Sequence, residues 1–256
     1  MVMGPTHSMM GASSGLWLAT VLPESLGGAS TPAEALAYAG IGAGAALLPD
    51  LDSPQATISR SFGPLTQGLS QVVNIAAVTF VNATGSSKDM EVAGGHRTAT
   101  HTIWFALLMG FVAGGIGQAF GKNGMVGLLI FLLGLGLRGL FPDWVKDKGG
   151  IITIAASVIL GLAAYATIPG LESPVLMASA VTVGVLTHLA GDFITKQGVP
   201  LTAPLIPVRG KRWWDWALPS GLRIRASGPA DQALLAVFSA LALWQAFQIV
   251  IPAFQG

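Results

Sequence analysis

The chain has 256 residues, of which 52% are hydrophobic and only 10% charged, with a formal net charge of +1 and a mean hydropathy of +0.65. Soluble domains carry about 25% charged residues, so a water-soluble fold is excluded, and the small net charge gives no basic field for nucleic acid. The lack of cysteine excludes disulfides and thiolate metal sites, leaving His, Asp, Glu, carbonyls or water to hold any metal.

No charged stretch followed by an apolar run and a cleavage site opens the chain, so no signal peptide is expected. Apolar stretches that reach or approach the roughly 20 residues needed to cross a bilayer lie at about 8–22, 35–49, 101–121, 124–141, 150–168, 174–194 and 229–250. The first two are short and rich in Gly and Ala. The stretch from Phe62 to Val81 carries Gln67, Ser70, Gln71 and Asn74 and reads as an amphipathic or re-entrant segment, not a span. The expected fold is therefore an all-α polytopic membrane protein of about six or seven transmembrane helices plus that segment. Residues 1–256 form a single integral membrane domain in this reading, with 196–228 a basic, Trp-rich cytoplasmic loop.

Following the chain from side to side places all four histidines on the side of the N-terminus. It also places there 12 of the 13 Lys and Arg: Arg60, Lys88, Arg97, Arg138, Lys146, Lys148, Lys196, Arg209, Lys211, Arg212, Arg223 and Arg225. Only Lys122 falls on the other side. Positively charged loops face the cytoplasm, so the histidine side is expected to be cytoplasmic. A crossing at 62–81 would separate His7 and Asp50 from the other histidines and weaken the charge bias.

Five short motifs carry the chemistry. PTHSMMG puts His7 before the first span; a lone His near a terminus has no significance except on the shared side. LLPDLDSP, Leu47 to Pro54, places Asp50 and Asp52 on one side of an extended chain, as a hard-cation site would or as a helix stop with solvated acids would. In HRTATH, His96 and Arg97 are expected on the approach, Thr98 or Thr100 as the cap, and His101 at the start of a helix. Arg97 would then clamp an anionic oxygen. In HLAGD, His188 and Asp192 are i and i+4 and share a helix face, which suits either one metal ion or a His–Asp hydrogen bond locking a helix end. RGKRWWDW, Arg209 to Trp216, reads as an interfacial anchor against membrane lipid.

Together the ordered set TH, LLPDLDSP, HRTATH and HLAGDFITKQGVPLTAPL resembles the YdjM/YbcI-type membrane-bound metal-dependent hydrolases, over about His7 to Arg212. A more distant similarity of pattern runs to the zinc-dependent phospholipase C and P1-nuclease group. The family resemblance points to His7, Asp50, His96, His101, His188 and Asp192, with Asp52 added. The chain departs from the family where relatives tend to read HRG and it has Thr98. It departs again at ASGPADQ, Ala226 to Gln232, so Asp231 is left out of the site.

The expected function is a bacterial inner-membrane hydrolase with a cytoplasm-facing site. His7, Asp50, His101, His188 and Asp192 would hold one or two divalent ions, with zinc the expected metal. Asp52 and His96 would move protons and Arg97 would hold developing charge. A phosphoester is the expected substrate, lipid, lipid-linked or soluble. The rivals are a divalent-cation transporter, which predicts polar residues at the bilayer midplane, and a non-catalytic interaction protein with structural His–Asp pairs.

Overall fold

The computed structural model describes residues 3–142 and 149–255. Lys146 and Lys148 of the charge count lie outside the described residues. Seven α-helices form among them: α1 Gly4–Val21, α2 Pro32–Ala45, α3 Pro64–Thr84, α4 Ile103–Leu140, α5 Gly149–Thr167, α6 Pro174–Phe193 and α7 Pro229–Gln255. Every expected span is helical, two of them within α4. Proline stands in the first turn of α1, α2, α3 and α6, where its fixed φ suits a helix start and its missing N–H costs nothing. Thr31, Thr102 and Ser173 cap α2, α4 and α6 through their side-chain oxygens. Among the described residues four helices, α4 to α7, are long and apolar enough to cross a membrane by length and composition.

A straight helix of 38 residues, the length of α4, would run about 57 Å. The chain instead turns back at Gly121, whose φ of 52° and ψ of −137° are not helical. A Cβ on Gly117 would lie 2.7 Å from the Met125 sulfur, and one on Gly124 would lie 2.9 Å from the Ile116 carbonyl oxygen. Contacts at i, i+8 require reversal, so α4 is a helical hairpin with two arms. Lys122 sits at the tip, paired with Glu172 at 3.4 Å, away from the end where Thr102 and Arg138 lie.

The short helices α1 and α2 pack backbone to backbone with α6. A Cβ on Gly11 would come within 2.4 Å of the Gly42 carbonyl oxygen, and one on Gly184 within 2.5 Å of the same atom. Small residues permit such approach between membrane helices. The result draws the start of α1, the end of α2 and the end of α6 to one point.

Helix α3 lies across that end of the bundle. Asn74, at its middle, donates its amide to the Asp52 carbonyl at 2.8 Å, and Gly95 packs on Asn74 and Ala77. Its polar Thr66 and Ser70 are buried, while Leu65, Leu69, Val72, Ile75 and Phe80 face outward. This is an amphipathic helix with its apolar side turned out, and residues 50–100 begin and end at the same end of the bundle.

Two local expectations are corrected. Asp50 and Asp52 sit in a 3-10 turn, Pro49–Asp52, not on an extended strand, because Pro49 stops α2 without extending the chain. His101 does not begin a helix: it ends a 3-10 turn, Ala99–His101. Thr102 is the cap, accepting from the Phe105 amide at 3.2 Å, and Thr100 is left for the site. The Trp-rich loop folds onto the end of α3. The Arg212 and Trp213 amides donate to Asp89, and the Trp213 indole donates to Thr84.

Candidate metal centre

All eight residues singled out from the sequence meet at this end of the bundle. His7, His101, His188, Asp52 and Asp192 are fully buried and Asp50 nearly so. The ring of His96 is 32% exposed, so of the four histidines it alone has solvent access.

Hydrogen bonding fixes the imidazoles. His188 Nδ1 lies 2.7 Å from the Ala46 carbonyl; a carbonyl only accepts, so Nδ1 carries the proton. His101 Nδ1 lies 3.0 Å from Thr100 Oγ1 and 3.3 Å from Asp52 Oδ2. The Thr100 hydroxyl donates to that carboxylate at 2.5 Å, so His101 Nδ1 is again the donor. The Nε2 lone pairs of His101 and His188 therefore face each other at 3.2 Å. Two nitrogen lone pairs so close repel unless a proton or a cation lies between them.

Carboxylates complete the set. Asp50 Oδ1 lies 3.9 Å from His101 Nε2 and 3.8 Å from His188 Nε2. Asp192 Oδ2 lies 3.6 and 3.7 Å from the same two atoms. A tetrahedral ion with bonds of 2.0–2.1 Å separates its ligands by about 3.3 Å, so these donors need only contract slightly to hold one. Asp50 Oδ1 is buried without a hydrogen-bond partner, as is His7 Nδ1. Orphaned buried polar atoms are costly, and a cation is the group that satisfies this donor set. His7 stacks on His188 with centroids 3.8 Å apart, its Nε2 3.4 Å from Asp192 Oδ1. The groups His7–Asp50–His188 and His101–His188–Asp192, both buried, and Asp50–His96–His101, with His96 half-buried, could each hold an ion.

Behind these donors stands a supporting layer. Asp52 accepts from Thr100, faces His101 Nδ1 and lies 2.9 Å from His96 Nδ1. Burial is the largest influence on its carboxyl and pushes its pKa up, but the bonds from His101 and His96 outweigh it and hold the group below the ordinary range. Carboxylate–histidine pairs of this kind orient metal-binding rings. Arg97, at a positive φ of 57°, is buried with Nη2 2.7 Å from Asp192 Oδ1. Its Nη1 donates to Thr195 Oγ1 and the Gly198 carbonyl, each at 3.0 Å. The guanidinium is thus committed to holding Asp192.

Gly191 explains the glycine in HLAGD. A Cβ there would lie 3.0 Å from His7 Cε1 and 3.1 Å from its Nδ1. Gly191→Ala is expected to push the His7 ring off Asp192 and weaken metal binding on the order of tenfold, the low end for disturbing the surroundings of a ligand. Competition titration against a chromogenic chelator measures it.

The sequence offered Thr100 only as a cap, did not single out Thr195, and set Asp231 outside the site; Thr100 instead bonds Asp52 and Thr195 bonds Arg97. Asp231 is fully buried. It accepts from the Met3 amide at 3.0 Å, the Thr6 hydroxyl at 2.8 Å and the Ser227 amide at 2.8 Å. It ties α7 to the start of α1 and so places His7. Asp231→Ala should cost about 1–3 kcal/mol by stranding those donors, seen as a lowered melting temperature, with Asp231→Asn recovering part of the loss.

The helices and the site define an all-α membrane protein with a buried His/Asp cluster suited to a metal ion. The chain belongs to the YdjM inner membrane protein family, whose model matches residues 1–253. No curated protein and no solved structure matches it.

Proposed function

We propose that the protein is a metal-dependent hydrolase of the inner membrane, with its site on the cytoplasmic side and a phosphoester as substrate. The observation that carries this reading is the convergence of His101 Nε2 and His188 Nε2 at 3.2 Å, with Asp50 and Asp192 beside them. A structural His–Asp network would not turn two acceptor nitrogens on each other.

His7, Asp50, His101, His188 and Asp192 are the residues to hold the ion, and their nitrogen and oxygen donors favour zinc. A bound divalent ion supplies Lewis acidity toward an ester oxygen and lowers the pKa of water toward neutral. The chain's own residues do the rest. Asp52 keeps the His101 proton on Nδ1 and leaves Nε2 as the donor. His96, anchored to Asp52 at 2.9 Å and partly exposed, is the group to pass protons between the site and solvent. Arg97 fixes Asp192 and excludes water from behind it. The bias of Lys and Arg toward this end supports cytoplasmic placement. A site at helix ends, beside an amphipathic helix with an outward apolar face, suits a substrate held in the membrane.

The test is hydrolysis of a phosphoester panel, soluble and lipid-borne, by detergent-purified protein reconstituted with zinc or manganese. Turnover that chelation abolishes and metal restores is expected. A protein that holds metal but cleaves none of the panel would count against the phosphoester reading.

A further inference from the structure

A cavity of about 270 Å³ opens between α3, both arms of α4 and α6, and every side chain that lines it is apolar. A void without polar partners holds no water and takes hydrocarbon.

One end of the cavity adjoins the metal centre. Leu48 and Leu51 line it, and both belong to the turn that carries the acids: Leu48 caps the 3-10 turn Pro49–Asp52, and Leu51 stands between Asp50 and Asp52. The other end lies deeper. Phe105, Met109 and Ala113 line the cavity from the first arm of α4, at i, i+4 and i+8, a run of about 12 Å along the helix. That arm starts at Ile103, just after His101, so the run begins near the level of the centre and goes inward. The hairpin pairing that sets Gly117 against Met125 brings Leu128 of the returning arm to the depth of Ala113. The cavity is also open to one side. Leu51, Ala113, Leu132 and Val181 form a buried wall, whereas Leu69 of α3 and Val112 of α4 are exposed at the rim. Because α4 is apolar enough to cross a membrane, that opening faces lipid.

These dimensions fit one occupant. Half of a hydrocarbon core is about 15 Å thick, so a cavity about 12 Å deep that starts at helix ends stays within one leaflet. A lipid of that leaflet has its head at the level of the metal centre and its chains pointing inward, in the direction the cavity runs. We infer that the cavity is the acyl-chain subsite for a lipid substrate. It holds one hydrocarbon chain so that the ester beside the head lies at the Leu51 end, against the metal centre, with Ala113 and Leu128 setting how deep the chain can reach. Fixing the chain positions the ester for attack. The inference deepens the hydrolase reading and rests on it for the bond cleaved, but occupation by a chain needs neither metal nor turnover.

The test is photo-crosslinking of the full chain in phosphatidylcholine nanodiscs after chelation. The probe is phosphatidic acid with a diazirine either beside a chain carbonyl or near the chain end, and labelled residues are mapped by peptide mass spectrometry. Label is expected in register: on Leu51 and Phe105 from the diazirine beside the carbonyl, on Ala113 and Leu128 from the one near the chain end. Label confined to outward positions such as Leu107 and Phe111, or the opposite register, overturns the inference. Ala113→Leu should cut the chain-end label on Leu128 about tenfold, because a close-packed interior has no room for the chain and the new side chain together. Leu107 and Phe111 should be labelled as in the parent. If Ala113→Leu fails to fold, Val73→Phe, which fills the cavity from α3, decides by the same readout. Parent-like label on Leu128 in the variant that folds overturns the inference. With metal restored, Ala113→Leu should lower kcat/KM for a long-chain ester more than for a short-chain one. An equal loss would make the chain a resident lipid and overturn its assignment to the substrate. In-register label in a protein that takes up no metal would keep the chain site and remove the hydrolase reading. Metal-dependent turnover with label confined to the outward positions would do the reverse.

Discussion

Arg97→Ala is expected to destabilise the protein by about 3–5 kcal/mol, the cost of breaking a buried ion pair by removing one partner. Arg97 and Asp192 are both buried, and the guanidinium takes three partners on the stretch that ends α6: it holds the Asp192 carboxylate at 2.7 Å, the Thr195 hydroxyl and the Gly198 carbonyl. Alanine leaves that carboxylate without its cation and strands the Gly198 carbonyl. Arg97→Lys keeps a charge but cannot span these partners at once, so it should recover only part of the loss. Denaturant unfolding in detergent measures both variants. A parent-like midpoint for Arg97→Ala would show that the pair does not hold the end of α6.

His188→Ala and Asp50→Asn are both expected to abolish tight metal binding, by 100-fold or more on the order of losing a direct ligand, yet to differ in stability. His188 is packed between His7 and His101 and bonded to the Ala46 carbonyl, so alanine opens a cavity and orphans that carbonyl. Asp50 is different. Burial raises its pKa, an effect that the fields of His7 and His101 oppose. A carboxyl with a raised folded pKa contributes stability at low pH that is lost as pH rises through that value. Without a cation near neutral pH, Asp50 is a burden, and asparagine removes the charge while keeping the shape. Metal-free Asp50→Asn should therefore melt at or above the parent near neutral pH. The advantage should shrink toward the ordinary carboxylate range, where the parent's Asp50 is protonated too. Melting curves of the two chelated proteins against pH give the difference. An advantage that grew on acidification would contradict the sign.

Much of the architecture was legible because bilayer-scale hydropathy is a one-dimensional signal. Each expected span is a helix, and the polar residues of 62–81 separate α3 from the rest. The i, i+4 spacing of His188 and Asp192 placed both on the face of α6 that meets His101. What failed to show was long-range or depended on backbone turns. Asp231 looks like an ordinary first-turn acid, because its partners Met3 and Thr6 lie more than 220 residues away. The alternation of Asp50 and Asp52 suggested an extended chain, and only the 3-10 geometry after Pro49 turns Asp52 behind His101. Arg97 read as an anion clamp because nothing local reveals that Thr195, Gly198 and Asp192 take up its guanidinium. The need for glycine at 191 is long-range too, because the ring packed against it is His7 of α1.

The central claim is that the facing His101 and His188 nitrogens, with Asp50 and Asp192, form a metal centre. Elemental analysis of the detergent-purified protein tests it most directly. Near-stoichiometric zinc, or another divalent ion, is expected in the parent and should be absent from the His188→Ala, Asp192→Ala double variant. A parent without metal even after reconstitution, or a double variant that keeps it in full, would contradict the claim.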